Sequence, residues 1–181
     1  MGNTREPSVS RRQVETVGGL AVALSGVLWH FVYDWSGGNR VVAVLAPANE
    51  SVWEHLKLVA VPMTVLCVVE MRWLGDWRRL WWSKVVGITA GCVFIVACFY
   101  TYTGAFGTGS VVAVDIASFF AAVGLAQWTS YRLLLAPGRE VPLRVSMTLA
   151  ALMMVGFGVL TFAPPHVPLF RQTSTGTYGP S

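Results

Sequence analysis

Charged side chains are scarce in this sequence. The chain has 181 residues, and its 13 Lys and Arg together with its 9 Asp and Glu amount to only 12%. Water-soluble domains carry about 25% charged residues, whereas 54% of this chain is hydrophobic. Because so few polar side chains cannot cover a water-facing surface, the composition excludes an ordinary soluble domain. It indicates an integral membrane protein whose first partner is the lipid bilayer.

The sequence also lacks a disulfide framework and the common catalytic signatures. Its three cysteines, Cys67, Cys92 and Cys98, lie in apolar runs, where they act as small hydrophobic residues. There is no nucleophile elbow, dinucleotide-binding fingerprint or phosphate loop, so no motif indicates an enzyme. The net charge of +4 comes from basic residues in clumps between apolar runs, and this distribution excludes a nucleic-acid partner.

Long hydrophobic runs dominate what is present. A bilayer core about 30 Å thick is crossed by about 20 predominantly apolar helical residues, and windows of this kind fit five times. We predict an all-α polytopic membrane helix bundle of five transmembrane helices over residues 15–165, with disordered tails at 1–14 and 166–181. The predicted spans are about residues 16–35, 50–74, 85–103, 111–135 and 144–163. The second is the weakest, because Lys57 and Glu70 bracket its apolar stretch.

The basic residues support this topology, since Lys and Arg concentrate in cytoplasmic segments. Five spans place ten of the 13 on the N-terminal side and only Arg40, Lys57 and Arg171 on the other. With one span fewer or one span more, the basic residues would no longer concentrate on one side of the membrane. We therefore predict the N-terminus inside and the C-terminus outside, in a multi-pass protein of the cell (plasma) membrane.

Two further segments predict local structure. Residues 72–84 mix four Trp with four basic residues, which favours an amphipathic segment lying in the inner headgroup layer. Gly87 and Gly91 have the GxxxG spacing that lets two helix backbones approach closely, and packing within the chain is its simplest interpretation.

The most informative segment, residues 47–57, brings two acids, a His and a Lys to the start of the second predicted helix. A helix that begins at Glu50 places Glu50, Glu54 and Lys57 on one face, with His55 about 100° away. Such a helix draws these groups toward the membrane or into a cavity among the helices.

Other ionisable residues fall at the same predicted outer level. His30 and Asp34, four residues apart, share a face at the end of the first span, and Asp115 begins the fourth. Ionisable groups at membrane depth are costly and by default suggest function. The candidate polar site therefore comprises His30, Asp34, Asn49, Glu50, Glu54, His55, Lys57 and Asp115.

Three interpretations of this site are open. Its members can simply pair and cap helix ends: His30 with Asp34, Glu54 with Lys57, and Asn49 or a Ser51–Glu54 capping box at the helix start. They can form a proton or ion pathway with access from outside. They can hold a divalent metal, for which the nitrogen and oxygen ligands are His30, Asp34, Glu50, Glu54 and His55.

At this segment the sequence resembles a family of small multi-span membrane proteins, mainly bacterial, that carry a domain of unknown function. The resemblance rests on two blocks, His-Phe-x-Tyr-x-Trp at residues 30–35 and Asn-Glu-Ser-x-Trp-Glu-His-x-Lys at residues 49–57. It implies a polytopic membrane protein and does not choose among transporter, enzyme and subunit.

Two function classes follow. In the first, the chain is a membrane protein that binds a metal ion or handles a small solute or ion at the polar site. This class predicts that Glu50, Glu54 or His55 lies within side-chain reach of His30 or Asp34, in an outward-facing pocket. In the second, the chain is a structural or accessory subunit that packs against a membrane-complex partner or forms a homo-oligomer.

Overall fold

A computed structural model describes residues 11–137 and 141–180, and within these residues the protein is helical, without β-strands. Five of its helices are long and two are short. The helices are α1 (Arg11–Trp29), α2 (Val32–Trp35), α3 (Arg40–Ala43), α4 (Val52–Glu70), α5 (Trp77–Phe106), α6 (Val112–Leu135) and α7 (Leu143–Phe162). One 3₁₀ turn, Pro168–Phe170, follows α7.

Among the described residues, four helices are long and apolar enough to cross a membrane: α4, α5, α6 and α7. The chain is therefore compatible with a membrane-spanning protein. The five predicted windows each overlap one long helix, but α1 does not reach the hydropathy of the other four. Of the predicted N-terminal tail, residues 1–10 lie outside the described part of the chain, and residues 11–14 belong to α1.

The central helix of the bundle is α4. In its most apolar window 61% of the residues are buried, compared with 28–33% in α5, α6 and α7. It packs against α1, α5 and α7, and its Val59, Ala60 and Met63 are fully buried in the main apolar core. The window that was predicted to be the weakest, because Lys57 and Glu70 bracket it, is thus surrounded by protein, where polar side chains can find partners.

Small residues allow α5 and α6 to pack closely. A Cβ atom on Gly87 would lie 2.5 Å from the carbonyl oxygen of Ala126, and one on Gly91 would lie 3.1 Å from that of Ala122. Both distances are shorter than ordinary van der Waals contacts, so only glycine fits without a shift. The predicted close approach at the GxxxG sequence is confirmed, and it occurs within the chain.

Most of the segment at residues 72–84, which was predicted to lie in the headgroup layer, is part of α5 in the structure. Residues 77–84 form the first two turns of α5, and Asp76 caps this helix by accepting a hydrogen bond from the backbone N–H of Arg79 at 3.2 Å. Because Asp76 caps the helix, α5 begins at Trp77, seven residues before Lys84, and is 30 residues long.

The C-terminal segment is also ordered by contacts that composition does not predict. Residues 166–180 fold back over the start of α4 instead of forming the disordered tail expected from their polar composition. The Phe170 side chain is buried, and its ring lies 4.9 Å from that of Trp53. The backbone N–H and the hydroxyl of Thr173 both donate to the carbonyl oxygen of Glu50, at 3.3 and 2.9 Å.

Candidate metal centre

One end of the bundle, here called the histidine end, is built where α1 stops and α4 starts. The α1 helix ends at Trp29 and its last turn opens at His30, so His30 and Asp34 do not lie on one continuous helix. His30 turns toward α4, whereas Asp34 is exposed. The intrahelical pair considered for these two residues is therefore replaced by a contact between helices.

The start of α4 is fixed by two polar side chains. The Ser51 hydroxyl accepts a hydrogen bond from the Glu54 backbone N–H at 3.3 Å, which makes Ser51 the N-cap. The Asn49 side chain accepts from the Ser51 backbone N–H at 2.8 Å and donates to the carbonyl oxygen of Gly179 at 2.7 Å. Because the helix starts only at Val52, Glu50 is not on the helical face of Glu54.

The structure brings together His30, Glu50 and His55. Nε2 of His30 lies 3.6 Å from one carboxylate oxygen of Glu50, and Nε2 of His55 lies 3.4 Å from the other. One ligand atom from each of the three residues lies within 4.8 Å of the other two. These three residues are called the His–Glu group below.

The distances in the His–Glu group are compatible with three ligands of one ion. N–H···O hydrogen bonds measure about 2.7–3.2 Å. Two ligands that each lie about 2.0–2.1 Å from a tetrahedral ion are separated by about 3.3–3.4 Å. The observed separations of 3.4 and 3.6 Å, each to a different oxygen of Glu50, lie near the second value.

The ring of His55 is oriented by the backbone. Its Nδ1 lies 2.8 Å from the carbonyl oxygen of Ser51, where it donates a hydrogen bond. In a neutral ring this leaves the lone pair on Nε2, which faces the carboxylate of Glu50. A lone pair and a carboxylate repel each other unless a cation lies between them, either a proton or a metal ion. Metal-ligating histidines characteristically donate their second ring N–H in this way.

Two further observations bear on the electrostatics of the group. Where the imidazoles of His30 and His55 donate hydrogen bonds to the Glu50 carboxyl, they hold its pKa well below its usual value, so this side chain is an anion over the physiological range. Nδ1 of His30 is buried and has no hydrogen-bond partner among the residues that the structure describes, and the His30 ring lies 5.4 Å from that of His55. A carboxylate flanked by two imidazoles supplies ligand types that could hold a metal ion.

The His–Glu group lines a cavity of about 460 Å³ formed between α1, α4, α5 and α6. Its walls are mainly apolar, and they include Phe99, Ile116, Phe119 and Phe120. Its volume falls in the range of about 300–1,000 Å³ typical of small-molecule sites.

Asp115 lines the same cavity but is already engaged. Its carboxylate accepts hydrogen bonds from the Tyr102 hydroxyl at 2.7 Å and from the Ser110 hydroxyl. The Tyr102 oxygen in turn accepts from the backbone N–H of Val111 at 3.1 Å. Asp115 therefore links α5 to the start of α6 across the loop at residues 107–111, which contains Gly107 and Gly109.

Glu54 and Lys57 lie apart from the His–Glu group and form a buried ion pair. The Lys57 ammonium is 2.7 Å from the Glu54 carboxylate, and the side chains are 0% and 1% exposed. The ammonium also donates to the Thr161 hydroxyl at 2.7 Å and to the carbonyl oxygens of Ala43 and Ala46 at 2.7 and 3.3 Å. Of the five residues proposed as metal ligands from the sequence, Glu54 is thus committed to this pair and Asp34 is exposed, while the other three meet.

Sequence reasoning missed a second polar cluster at the opposite end of the bundle. There Glu15 of α1 and Glu70 of α4 both contact Lys84 of α5. From the sequence, Glu70 is expected to pair with Arg72 or another basic residue of the inner face, and its contact with Lys84 agrees with this expectation. The available signal was the single acid near the start of the first apolar window, at the depth where the second window also ends in an acid.

The comparisons with known proteins identify a family and add no activity. The model of a family described as "Family of unknown function (DUF6512)" matches residues 7–180. No curated protein and no solved structure matches the chain.

Proposed function

The chain belongs to this family of unknown function, and we propose from its geometry that it is an integral membrane protein that binds a divalent transition-metal ion. The ligands are His30, Glu50 and His55. The observation that carries the proposal is the His55 ring, whose Nδ1 is held by a backbone carbonyl while its Nε2 faces a carboxylate.

The ligand set suits zinc and its neighbours in the first transition row. Imidazole nitrogen and carboxylate oxygen are ordinary zinc ligands, and two His with one Glu leave one tetrahedral position open. All three proposed ligands line the cavity. An ion held by them would therefore be within reach of a small ligand that enters the cavity.

We further propose that α1 is a fifth membrane span, with the N-terminus inside and the histidine end outside. Along α1 the side chains of Val17, Leu20, Leu24 and Leu28 are 58–69% exposed, and they form an apolar face for lipid. The opposite face of α1 packs against α4 and α6. The charge distribution of the sequence supports the orientation.

Zinc titration of the purified, chelator-treated protein in detergent tests the proposal. We expect one ion per chain, and we expect His55→Ala and His30→Ala to weaken binding at least about 10-fold, since even residues that only orient ligands cost 10–100-fold. The matched control is His166→Ala, because His166 is exposed, its ring lies 4.7 Å from that of Tyr178, and it is not one of the three proposed ligands. Absence of zinc binding by the wild-type protein, or unchanged binding by His55→Ala, would refute the proposal.

A further inference from the structure

The end of the bundle opposite the His–Glu group contains more buried acid than base. Glu15, Glu70 and Lys84 are 3%, 0% and 1% exposed. The Lys84 ammonium lies 2.9 Å from a carboxylate oxygen of each glutamate. With all three groups ionised, this Glu–Lys triad carries one uncompensated negative charge inside the bundle.

An uncompensated charge at membrane depth is strongly unfavourable, and buried groups usually neutralise instead. The titratable groups that act on Glu70 are Lys84 of α5 and Glu15 of α1. Cys67, one turn before Glu70 on α4, lies in the field of all three. The net charge of Glu15, Glu70 and Lys84 is therefore zero only when one of the two carboxyls holds a proton.

The hydrogen bonds indicate which carboxyl that is. Besides its contact with Lys84, the Glu15 carboxylate accepts hydrogen bonds from the Gln127 amide and, at 3.4 Å, from the Ser130 hydroxyl. Donors of this kind stabilise the ionised form. Among the described residues, the only polar contact of the Glu70 carboxyl is the one with Lys84, and no other group donates a hydrogen bond to it.

We propose that Glu15, Glu70 and Lys84 form a proton-binding site in which Glu70 carries one proton at neutral pH. Glu70 is the last residue of α4, so the proton exchanges with the side of the membrane on which α4 ends. Carboxyls that take up a proton at membrane depth are the working groups of proton relays. The site is independent of metal binding, because it lies at the other end of the bundle.

Infrared difference spectroscopy of the purified protein at neutral pH measures the proton directly. We expect a carbonyl-stretch band of a protonated carboxylic acid that shifts in D₂O. This band disappears in Glu70→Gln. It also disappears in Glu15→Gln, because the remaining carboxylate then pairs with Lys84 and stays ionised. The exposed Asp34→Asn variant is the control and keeps the band. A wild-type spectrum without the band, or a band retained in both glutamine variants, overturns the proposal.

Thermal unfolding as a function of pH gives a second measurement. The proton stabilises the folded state, so its contribution is complete at low pH and is lost as the pH rises through its release. We expect the Tm of the wild type to fall with rising pH relative to Glu70→Gln. The double variant Glu15→Gln, Glu70→Gln leaves Lys84 uncompensated and has a lower Tm than either single variant. Equal pH dependence of the wild type and Glu70→Gln would contradict the proposal, even if the double variant fails to fold.

Discussion

The buried pair of Glu54 and Lys57 predicts a large loss of stability when Lys57 is replaced by methionine. Methionine keeps the approximate volume of the side chain but removes the ammonium. The Glu54 carboxylate, 1% exposed, then loses its counter-ion, and the carbonyl oxygens of Ala43 and Ala46 lose a donor. Breaking a buried ion pair from one side costs about 3–5 kcal/mol.

Part of this cost is relieved when the charge of Glu54 is removed as well. Glu54→Gln alone leaves the Lys57 ammonium unpaired, and we expect a loss of similar size. In the double variant no buried charge is left over, although the backbone N–H of Ala48, which donates to Glu54 at 2.8 Å, still needs its acceptor. We therefore expect the double variant to be more stable than the sum of the single losses by about 1–3 kcal/mol.

Reversible unfolding of the purified protein in mixed micelles measures these free energies. Arg72→Met is the control, because Arg72 is exposed and a lone surface cation contributes about 0–1 kcal/mol. Two results would show the reasoning to be mistaken: a loss below about 1 kcal/mol for Lys57→Met, which is typical of surface pairs, or strictly additive losses in the double variant.

Two further predictions concern packing and topology. Gly87→Ala should lower the free energy of unfolding by about 1–3 kcal/mol, because the added Cβ overpacks α5 against α6. Gly104→Ala, on the same helix, is the control: its Cβ meets nothing within 4 Å, so the substitution should be neutral or slightly stabilising. Equal effects of the two substitutions in thermal unfolding would argue against the close contact. A single cysteine introduced at Gly109 should react with a membrane-impermeant maleimide in intact cells, since five spans place the loop between α5 and α6 outside. Labelling only after the membrane is opened would show that the proposed orientation is wrong.

The long helices were predictable because hydropathy depends on the local sequence. Each apolar window overlaps a long helix, since about 20 apolar residues have few alternatives to a buried or lipid-facing helix. The position of α4 at the centre was not predictable in this way. Its polar residues lowered its hydropathy, and only the structure shows that Lys57 and Glu70 contact partners on other helices.

The sequence predicted which residues belong to the candidate site better than it predicted which of them lie in contact. The two sequence blocks contain all three residues of the His–Glu group. Grouping Glu50 with Glu54 assumed a helix from Glu50, but the Ser51 cap begins the helix two residues later. Glu50 then contacts His55 and His30. A shift of two residues rotates a side chain by about 200° around a helix, which is enough to change its neighbours.

The Glu–Lys triad was missed for a different reason. Lys84 lies 69 residues from Glu15 along the chain, and Gln127 lies 112 residues from it. No local pattern links residues so far apart. An isolated acid at the edge of an apolar window is also the ordinary end of a span, so Glu15 carried no signal until its depth was compared with that of Lys84 and Glu70.

Each polar cluster lies at one end of α1, and this explains how the least apolar of the long helices is held in the bundle. Gly18 and Gly26 let its backbone approach α4 and α6, since a Cβ on either would come within 3 Å of a neighbouring side chain. Close packing and polar contacts, rather than hydropathy, stabilise helix association in lipid. Glu15 anchors α1 at one end, and His30 contacts α4 through Glu50 at the other. A metal ion bound to the His–Glu group would therefore tie α1 to the start of α4, so metal binding and the position of α1 are linked.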